Sequence, residues 1–298
     1  MPLDFSVKKL KQECPGNRQC QWEYIFSSTY NNYNLPVMKC HQCGLLAIAP
    51  DARIPEDILY TENYYNGTDV FSYKDERKQE YYEKFVWNAR IKNIKIFKQQ
   101  GNFLDIGSSF GGLLAAAKSS GFNPTGLEVS AFSANYSKNR GIPTIQKNFL
   151  AARLPENSFD VVTMIEVLEH LSNPAKVFSK LQKIINKNGL LIIQTANFDA
   201  WQAIDQGPDY HYFLPGHYYY YNKDLLTRIL KENGFHKFIF YPGVDFGLLP
   251  KLLKSRGNFK SVFDYLSWFK IAFYHLKSGI IYKNKPLTSS MVLYAFKK

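Results

Sequence analysis

The last 255 residues of this 298-residue chain contain no cysteine: all four, Cys14, Cys20, Cys40 and Cys43, lie near the beginning. That confinement excludes a disulfide framework spread over the fold and speaks for a local metal site. No uninterrupted apolar run approaches the roughly 18–20 residues of a membrane-spanning helix. The opening MPLDFSVKKLKQE lacks both an apolar core and a small-residue cleavage site, so no secretory signal is expected and the expected location is the cytoplasm. Acids are scarce at the other end. Lys251–Lys298 carry ten Lys/Arg and a single acid, Asp264, which accounts for +9 of the net charge of +12. Such an end suits an anionic partner (phosphate, nucleic acid or a membrane surface), or is the ordinary exposed face of a lysine-rich chain. Apolar residues are plentiful, at 45% hydrophobic and 16% aromatic, which excludes global disorder and leaves room for one large α/β domain with a small companion.

Three textures follow one another. Residues 1–60 are short, polar and cysteine-bearing, closed off by Pro50 and Pro55; 61–100 link through a Tyr-rich stretch to a long helix expected over about 75–99; 101–298 form the main domain. In the main domain short apolar strands alternate with helices, the pattern of a Rossmann-like doubly wound sheet. Strands are expected at 103–106, 124–128, 142–146, 159–165, 189–194, 235–241 and 290–297. Helices are expected near 111–120, 131–139, 174–186 and 223–233, with Gly121, Gly141 and Gly189 just past the first three as C-caps and Gly234 ending the fourth. A basic, aromatic helical insertion occupies about 250–285.

The segment FLDIGSSFGG, Phe103–Gly112, joins the first strand of this domain to its first helix. Open α/β sheets bind ligands at that edge. A dinucleotide would rest its pyrophosphate on the helix N-terminus, and Asp105 at the lip would repel it. No G-K-[ST] follows, so a P-loop is excluded. A ligand carrying an ammonium and a sulfonium would be attracted by Asp105, and S-adenosylmethionine is such a ligand. Glu128, 21 residues after Gly107 at the end of the next strand, stands where a ribose-binding acid is expected.

FLDIGSSFGG, GLEVS, LPENSFDVVTMIEVLEHLSNP and KNGLLIIQTAN, in that order, resemble the class I S-adenosylmethionine-dependent methyltransferases, in particular the ubiquinone-biosynthesis O-methyltransferase group. The resemblance covers about 102–234. It implies a seven-stranded sheet with the last strand antiparallel. It also implies that Asp105, Gly107 and Gly111 surround the amino-acid end of the cofactor, that Glu128 binds its ribose, and that Asn148 and Phe149 flank its adenine. Asn148 replaces an Asp of the family, and Ser109 replaces its middle glycine; Ser109 either contacts the cofactor or only completes the turn.

The [DNS]-P-P-[YF] motif of amino- and base-methylating enzymes is missing after the fourth strand, which favours oxygen acceptors and leaves carbon as the lesser alternative. An oxygen nucleophile calls for a base, and histidine titrates in the working range. His170, in LEHL, and His217, in GPDYHYFLPGHYYYY with His211, are the candidates, and the residues do not choose between them. Positioning alone can also suffice. Cys40-His-Gln-Cys43-Gly44 forms one zinc knuckle and Cys14 with Cys20 a wider one, so a closed, structural zinc ribbon with four thiolate ligands is expected, with His41 outside it. Such a ribbon also resembles the N-terminal module of bacterial methyltransferases of sugar and surface-polysaccharide pathways. In FKSVFDYLSWFKIAFYHLK, 259–277, Phe259, Val262, Phe263, Leu266, Phe269, Phe273 and Leu276 share one helical face. That face either packs over the acceptor site or meets anionic lipid.

The expectation is a cytoplasmic enzyme that methylates a small-molecule or glycan acceptor. Two rivals stand beside it: an RNA methyltransferase, disfavoured because the positive charge sits at one end, and an S-adenosylmethionine-binding regulatory protein without catalysis.

Overall fold

The structure, a computed structural model, describes Cys14, residues 20–66 and residues 75–298. Most of the first cysteine knuckle, and 67–74 of the linking segment, lie outside the described residues. β1 (Trp22–Tyr30) and β2 (Tyr33–Cys40) pair as an antiparallel hairpin, and at its two-residue turn Asn31 takes the left-handed φ of 50° that asparagine tolerates. β3 (Leu46–Ile48) continues the sheet. Its other neighbour, β9 (Tyr219–Tyr220), comes from far along the chain. The N-terminal sheet thus includes a strand of the main domain, and Cys14, Trp22, Cys40 and Leu45 share one core with Leu225 and Ile229.

Two short helices, α1 (Glu56–Leu59) and α2 (Glu62–Asn66), lead toward α3 (Glu80–Lys95). The helix expected over 75–99 is shorter than its apolar pattern suggests. Asp75 accepts from the Arg77 amide (3.1 Å) and holds 76–79 as a separate tight turn. The main sheet then runs β4 (Gly101–Ile106), α4 (Gly112–Ser119), β5 (Phe122–Glu128), α5 (Ala131–Asn139), β6 (Thr144–Gln146), β7 (Phe159–Ile165), α6 (Pro174–Ile184) and β8 (Ile185–Ala196). α7 (Trp201–Gln206) and an aromatic loop lead to β9. After them come α8 (Lys223–Glu232), β10 (Phe235–Pro242), α9 (Leu248–Ser255), α10 (Ser267–Ser278), the small hairpin β11 (Ile281–Tyr282) and β12 (Lys285–Pro286), and β13 (Ser290–Lys297). Local chemistry sets these bounds, but Gly189, expected as the C-cap of α6, lies inside β8, which takes over directly where α6 ends at Ile184. Asn173 caps α6 through Lys176 N (3.0 Å) with Pro174 in its first turn, and Asn222 caps α8 through Leu225 N (2.8 Å).

The seven strands lie in the order β10-β13-β8-β7-β4-β5-β6. β4 through β8 are parallel, and β13 runs antiparallel between β8 and β10. This is the Rossmann-like doubly wound α/β sheet with a reversed last strand that the sequence leads one to expect. Helices cover both faces, so central strands such as FDVVTMI are buried almost throughout. Chain order reverses between β4 and β7, which opens a crevice at their carboxyl ends.

One polar knot ties the sheet's back to its helices. Arg90 of α3, 1% exposed, donates from Nε to Asp245 Oδ1 (3.1 Å), from Nη2 to the same carboxylate (2.9 Å) and to Gln194 Oε1 of β8. The Tyr294 hydroxyl of β13 donates to Asp245 Oδ2 (2.6 Å). Asp245→Ala would leave the guanidinium buried without its countercharge, at a cost of about 3–5 kcal/mol. Urea unfolding should show that loss, whereas Asp264→Ala, in an exposed turn, should move the midpoint far less.

Candidate active site

The crevice is a cavity of about 650 Å³. Its floor is the loop after β4. Gly107 has φ +73°, and a Cβ there would stand 2.4 Å from Val167 Cγ2, so no other residue fits. Ser109 also takes a left-handed φ, 47°, which explains why a glycine suits this position; its Oγ is buried and unpaired. Gly111 sits behind the cavity wall against Ser137 and Ile142.

Asp105, 5% exposed, lines the cavity and accepts from the Thr163 hydroxyl (2.6 Å). Burial pushes its carboxyl up to about 7, against the opposing pull of that hydroxyl and of the Arg90 charge. Glu128, at the end of β5, is also buried. Its Oε2 accepts from the Ser109 amide (2.8 Å), and its Oε1 accepts from the Ser130 amide (2.9 Å) and the Tyr65 hydroxyl (3.1 Å). Burial raises its pKa, while the Ser130 and Ser109 amides draw it back down. Phe149 lines the cavity. Asn148 turns its Oδ1 to the Leu150 amide (2.8 Å) and completes a turn instead of lining the wall.

The two candidate bases meet across the opposite wall. His170 and His217 stack edge to face with centroids 4.6 Å apart, and both line the cavity. His170 Nδ1 lies 2.7 Å from Gly216 O, and His217 Nδ1 lies 2.8 Å from Tyr212 O. A carbonyl only accepts, so both rings carry their proton on Nδ1 and keep Nε2 as the bare nitrogen. Burial drives His170 down to about 4; burial, then the neighbouring His170, pulls His217 well below its ordinary value. Glu169 lies behind them, its carboxyl raised by burial and by Glu166. Glu169, His170 and His217 each offer a ligand atom within 4.8 Å of the others, close enough for a cation to gather. His211 stands apart, on Gln206 (3.0 Å).

Most tyrosines of the loop around His217 pack inward. Tyr210, Tyr218, Tyr219, Tyr220 and Tyr221 are all 4% exposed or less, and only Tyr212 of the run lines the cavity. Tyr210, Phe213 and Tyr220 form a core with Leu35, Val37 and Ile48 of the N-terminal sheet. That sheet therefore buttresses the loop that presents His217.

Sequence reasoning missed Arg90, whose buried Nη1 is unpaired and whose side chain lines the cavity. It also missed Tyr65 of α2, Glu166, and Lys251 and Lys254 of α9, which complete the rim. A signal existed for Glu166: it is the first acid of IEVLEH, at the edge where β7 ends, and takes φ +55°.

The cysteines converge as well. Cys14 Sγ and Cys43 Sγ are 2.8 Å apart, and Cys40 joins them within 4.8 Å. The Cys20 thiol is raised by burial and by its contacts with Cys14 and Cys40; Cys43 is raised by Cys14 first and then by burial. Thiols crowded in this way are a donor set suited to tetrahedral zinc.

Residues 76–237, more than half of the chain, match the family model described as a methyltransferase domain. The chain belongs to this family. The chain is 27% identical over 137 residues to the ubiquinone biosynthesis O-methyltransferase of Histophilus somni, covering 39% of this chain and 57% of that protein. The chain thus spans little more than half the length of that relative. Its fold resembles phosphoethanolamine N-methyltransferase 2 of Haemonchus contortus, solved with S-adenosyl-L-methionine (17% identity, 94% of this chain and 69% of that chain, TM-score 0.59). It also resembles an S-adenosylmethionine-dependent methyltransferase from Archaeoglobus fulgidus (19%, 74% and 97%, TM-score 0.52). These likenesses show the class I fold.

Asp105, were it to hold the cationic end of a cofactor, would give that binding a pH signature. Its raised pKa means that the carboxylate is ionised above about pH 7 and protonated below it. A cationic cofactor prefers the ionised form, so S-adenosylmethionine affinity should hold above pH 7 and fall by up to tenfold per unit below it. Calorimetry between pH 5.5 and 8 (roughly the range over which an Asp so shifted titrates) checks this; an affinity flat with pH would contradict it.

Proposed function

We propose that the methyltransferase moves the methyl group of S-adenosylmethionine to an oxygen, with carbon as the lesser alternative, of a small-molecule or glycan acceptor in sugar or surface-polysaccharide synthesis. The carrying observation is the pair of neutral imidazoles, His170 and His217, across one cavity from Asp105 and Glu128. The glycan part of the reading rests on the resemblance of the cysteine module to that group of enzymes.

When bound, S-adenosylmethionine supplies an electrophilic methyl on a sulfonium that is already a good leaving group. Asp105, framed by Gly107, Ser109 and Gly111, would hold its amino-acid end, Glu128 its ribose, and Phe149 with the Asn148 turn its adenine. An acceptor hydroxyl would donate to Nε2 of His170 or His217. With its pKa near 4, His170 has little affinity for a full proton. The imidazoles therefore act by orienting the hydroxyl and aligning its lone pair with the methyl, more than by removing its proton beforehand. The segment 259–277 is proposed to work against an anionic membrane; nucleic acid is disfavoured because the positive charge is confined to one end.

Transfer of labelled methyl groups to acceptor fractions tests the chemistry. Asp105→Ala should abolish cofactor binding with the fold intact. His170→Ala and His217→Ala should lower kcat by about a hundredfold where the residue orients the acceptor, with the Gln variant, which still accepts a hydrogen bond, recovering most of it. A Gln variant as poor as Ala would instead point to proton removal.

We further propose that Cys14, Cys20, Cys40 and Cys43 hold one structural zinc ion, which clamps the N-terminal sheet to the core it shares with α8. Elemental analysis should find about one zinc per chain, and chelation should lower the thermal midpoint. Less than about half an equivalent counts against the site.

A further inference from the structure

Twelve of the twenty exposed large hydrophobic side chains among the described residues lie between Leu249 and Tyr282. Val262 (77%), Phe263 (75%), Leu266 (63%), Phe269 (76%), Phe273 (71%) and Leu276 (67%) all face solvent. Apart from Phe263 they recur at helical spacing, so they form one stripe along a tight turn, 262–266, and α10. Ile281 and Tyr282, at the β11–β12 hairpin, lengthen the apolar surface. The opposite side of α10 is satisfied: Trp268 donates to Ser255 Oγ (3.0 Å), and Phe259 turns inward against Tyr265 and Trp268. The stripe is thus not the packing face of the helix. Contiguous apolar surface of this extent marks an interaction site.

We infer that residues 249–282 form a docking face for an anionic lipid bilayer, set beside the mouth of the cavity. The partner is argued from charge. Between Leu249 and Pro286 the chain carries eight Lys/Arg and one acid. That acid, Asp264, is locked onto the Lys260 and Ser261 amides (2.6 and 2.7 Å). Lys260, Lys270, Lys277 and Lys283 are exposed around the apolar stripe. Apolar side chains rimmed by cations match an acyl boundary beneath anionic headgroups. A second copy of the chain fits worse, because a twofold contact would oppose two faces of the same positive sign. Single-stranded nucleic acid fits worse too: bases could stack on Phe269, Phe273 and Tyr282, but the aliphatic Val262, Leu266, Leu276 and Ile281 beside them would gain nothing from bases and need an acyl phase to bury them.

The face adjoins the site through α9. Leu249 is exposed on that helix, while Lys251 and Lys254 line the cavity, and α10 packs against α9. An amphiphilic acceptor held in the bilayer would therefore meet the cavity at its Lys251 rim. The docking does not depend on methyl transfer; only its purpose, reaching a membrane-held acceptor, rests on the function proposed above.

Co-sedimentation with vesicles of phosphatidylcholine, with and without phosphatidylglycerol, tests the face on the whole protein. The chain should pellet with the anionic vesicles, lose that binding in high salt, and stay in solution with phosphatidylcholine alone. Combining Phe263→Glu, Phe269→Glu and Phe273→Glu should cut the bound fraction about tenfold or more, while S-adenosylmethionine affinity by calorimetry stays at the parent value. Lost cofactor binding in the parent protein would instead strike the methyltransferase reading and leave the docking result standing. The inference is overturned if the triple variant pellets like the parent. It is also overturned if the parent ignores anionic vesicles but forms a dimer that the variant cannot form, or does so but binds oligouridine through the same residues.

Discussion

A guanidinium with almost no access to water organises the centre of this molecule. Arg90 can remain charged in the interior only because Asp245 meets it and Gln194 and Tyr294 close the ring around the pair. Those partners come from α3, β8, β13 and the turn after β10, so satisfying one charge fixes how four elements lie together. The same charge is felt at Asp105, where it opposes the effect of burial. The Asp105 carboxylate in the cavity is thus poised by a residue whose first duty is to hold the fold.

The other wall is held differently. His217 rests on a loop whose aromatic rings are buried against β2 and β3, and β9 is a strand of that N-terminal sheet. The cysteine cluster sits at the far end of the same hairpin. The N-terminal segment therefore reaches the site by packing, through the loop behind the imidazoles. One half of the cavity is positioned by ionic chemistry, the other by apolar contact.

How much of this was legible in the sequence depends on what kind of interaction decided each feature. Strands 159–165 and 290–297 have the bounds that the sequence suggests, the first because a central strand buried on both faces reads as a largely apolar run, the second from its weak alternation. The reversed last strand followed from resemblance, and the sheet carries it. Within the cavity, the structure gathers Asp105, Gly107, Ser109, Glu128, Phe149, His170 and His217, while Gly111 and Asn148 support it from behind. Arg90 was invisible because its burial depends on a partner 155 residues away. The stripe in 259–277 was visible as a period, but a period does not say whether a face points in or out. Phe259, counted with the stripe, is drawn off it by Trp268, a tertiary contact that spacing cannot foretell.

The hydrogen bonds around Glu128 set a counting problem for any ligand with two neighbouring hydroxyls. A carboxylate oxygen has two lone pairs. Oε1 has filled both, with the Ser130 amide and the Tyr65 hydroxyl, and Oε2 has filled one with the Ser109 amide. At most one vacancy remains where a ribose diol would require two. Were Glu128 to hold a ribose, as proposed, the sugar would seat fully only once Tyr65 withdrew, and occupation of the cavity would exchange one hydroxyl for another. The segment 62–66 that carries this tyrosine would then register whether the nucleoside is in place.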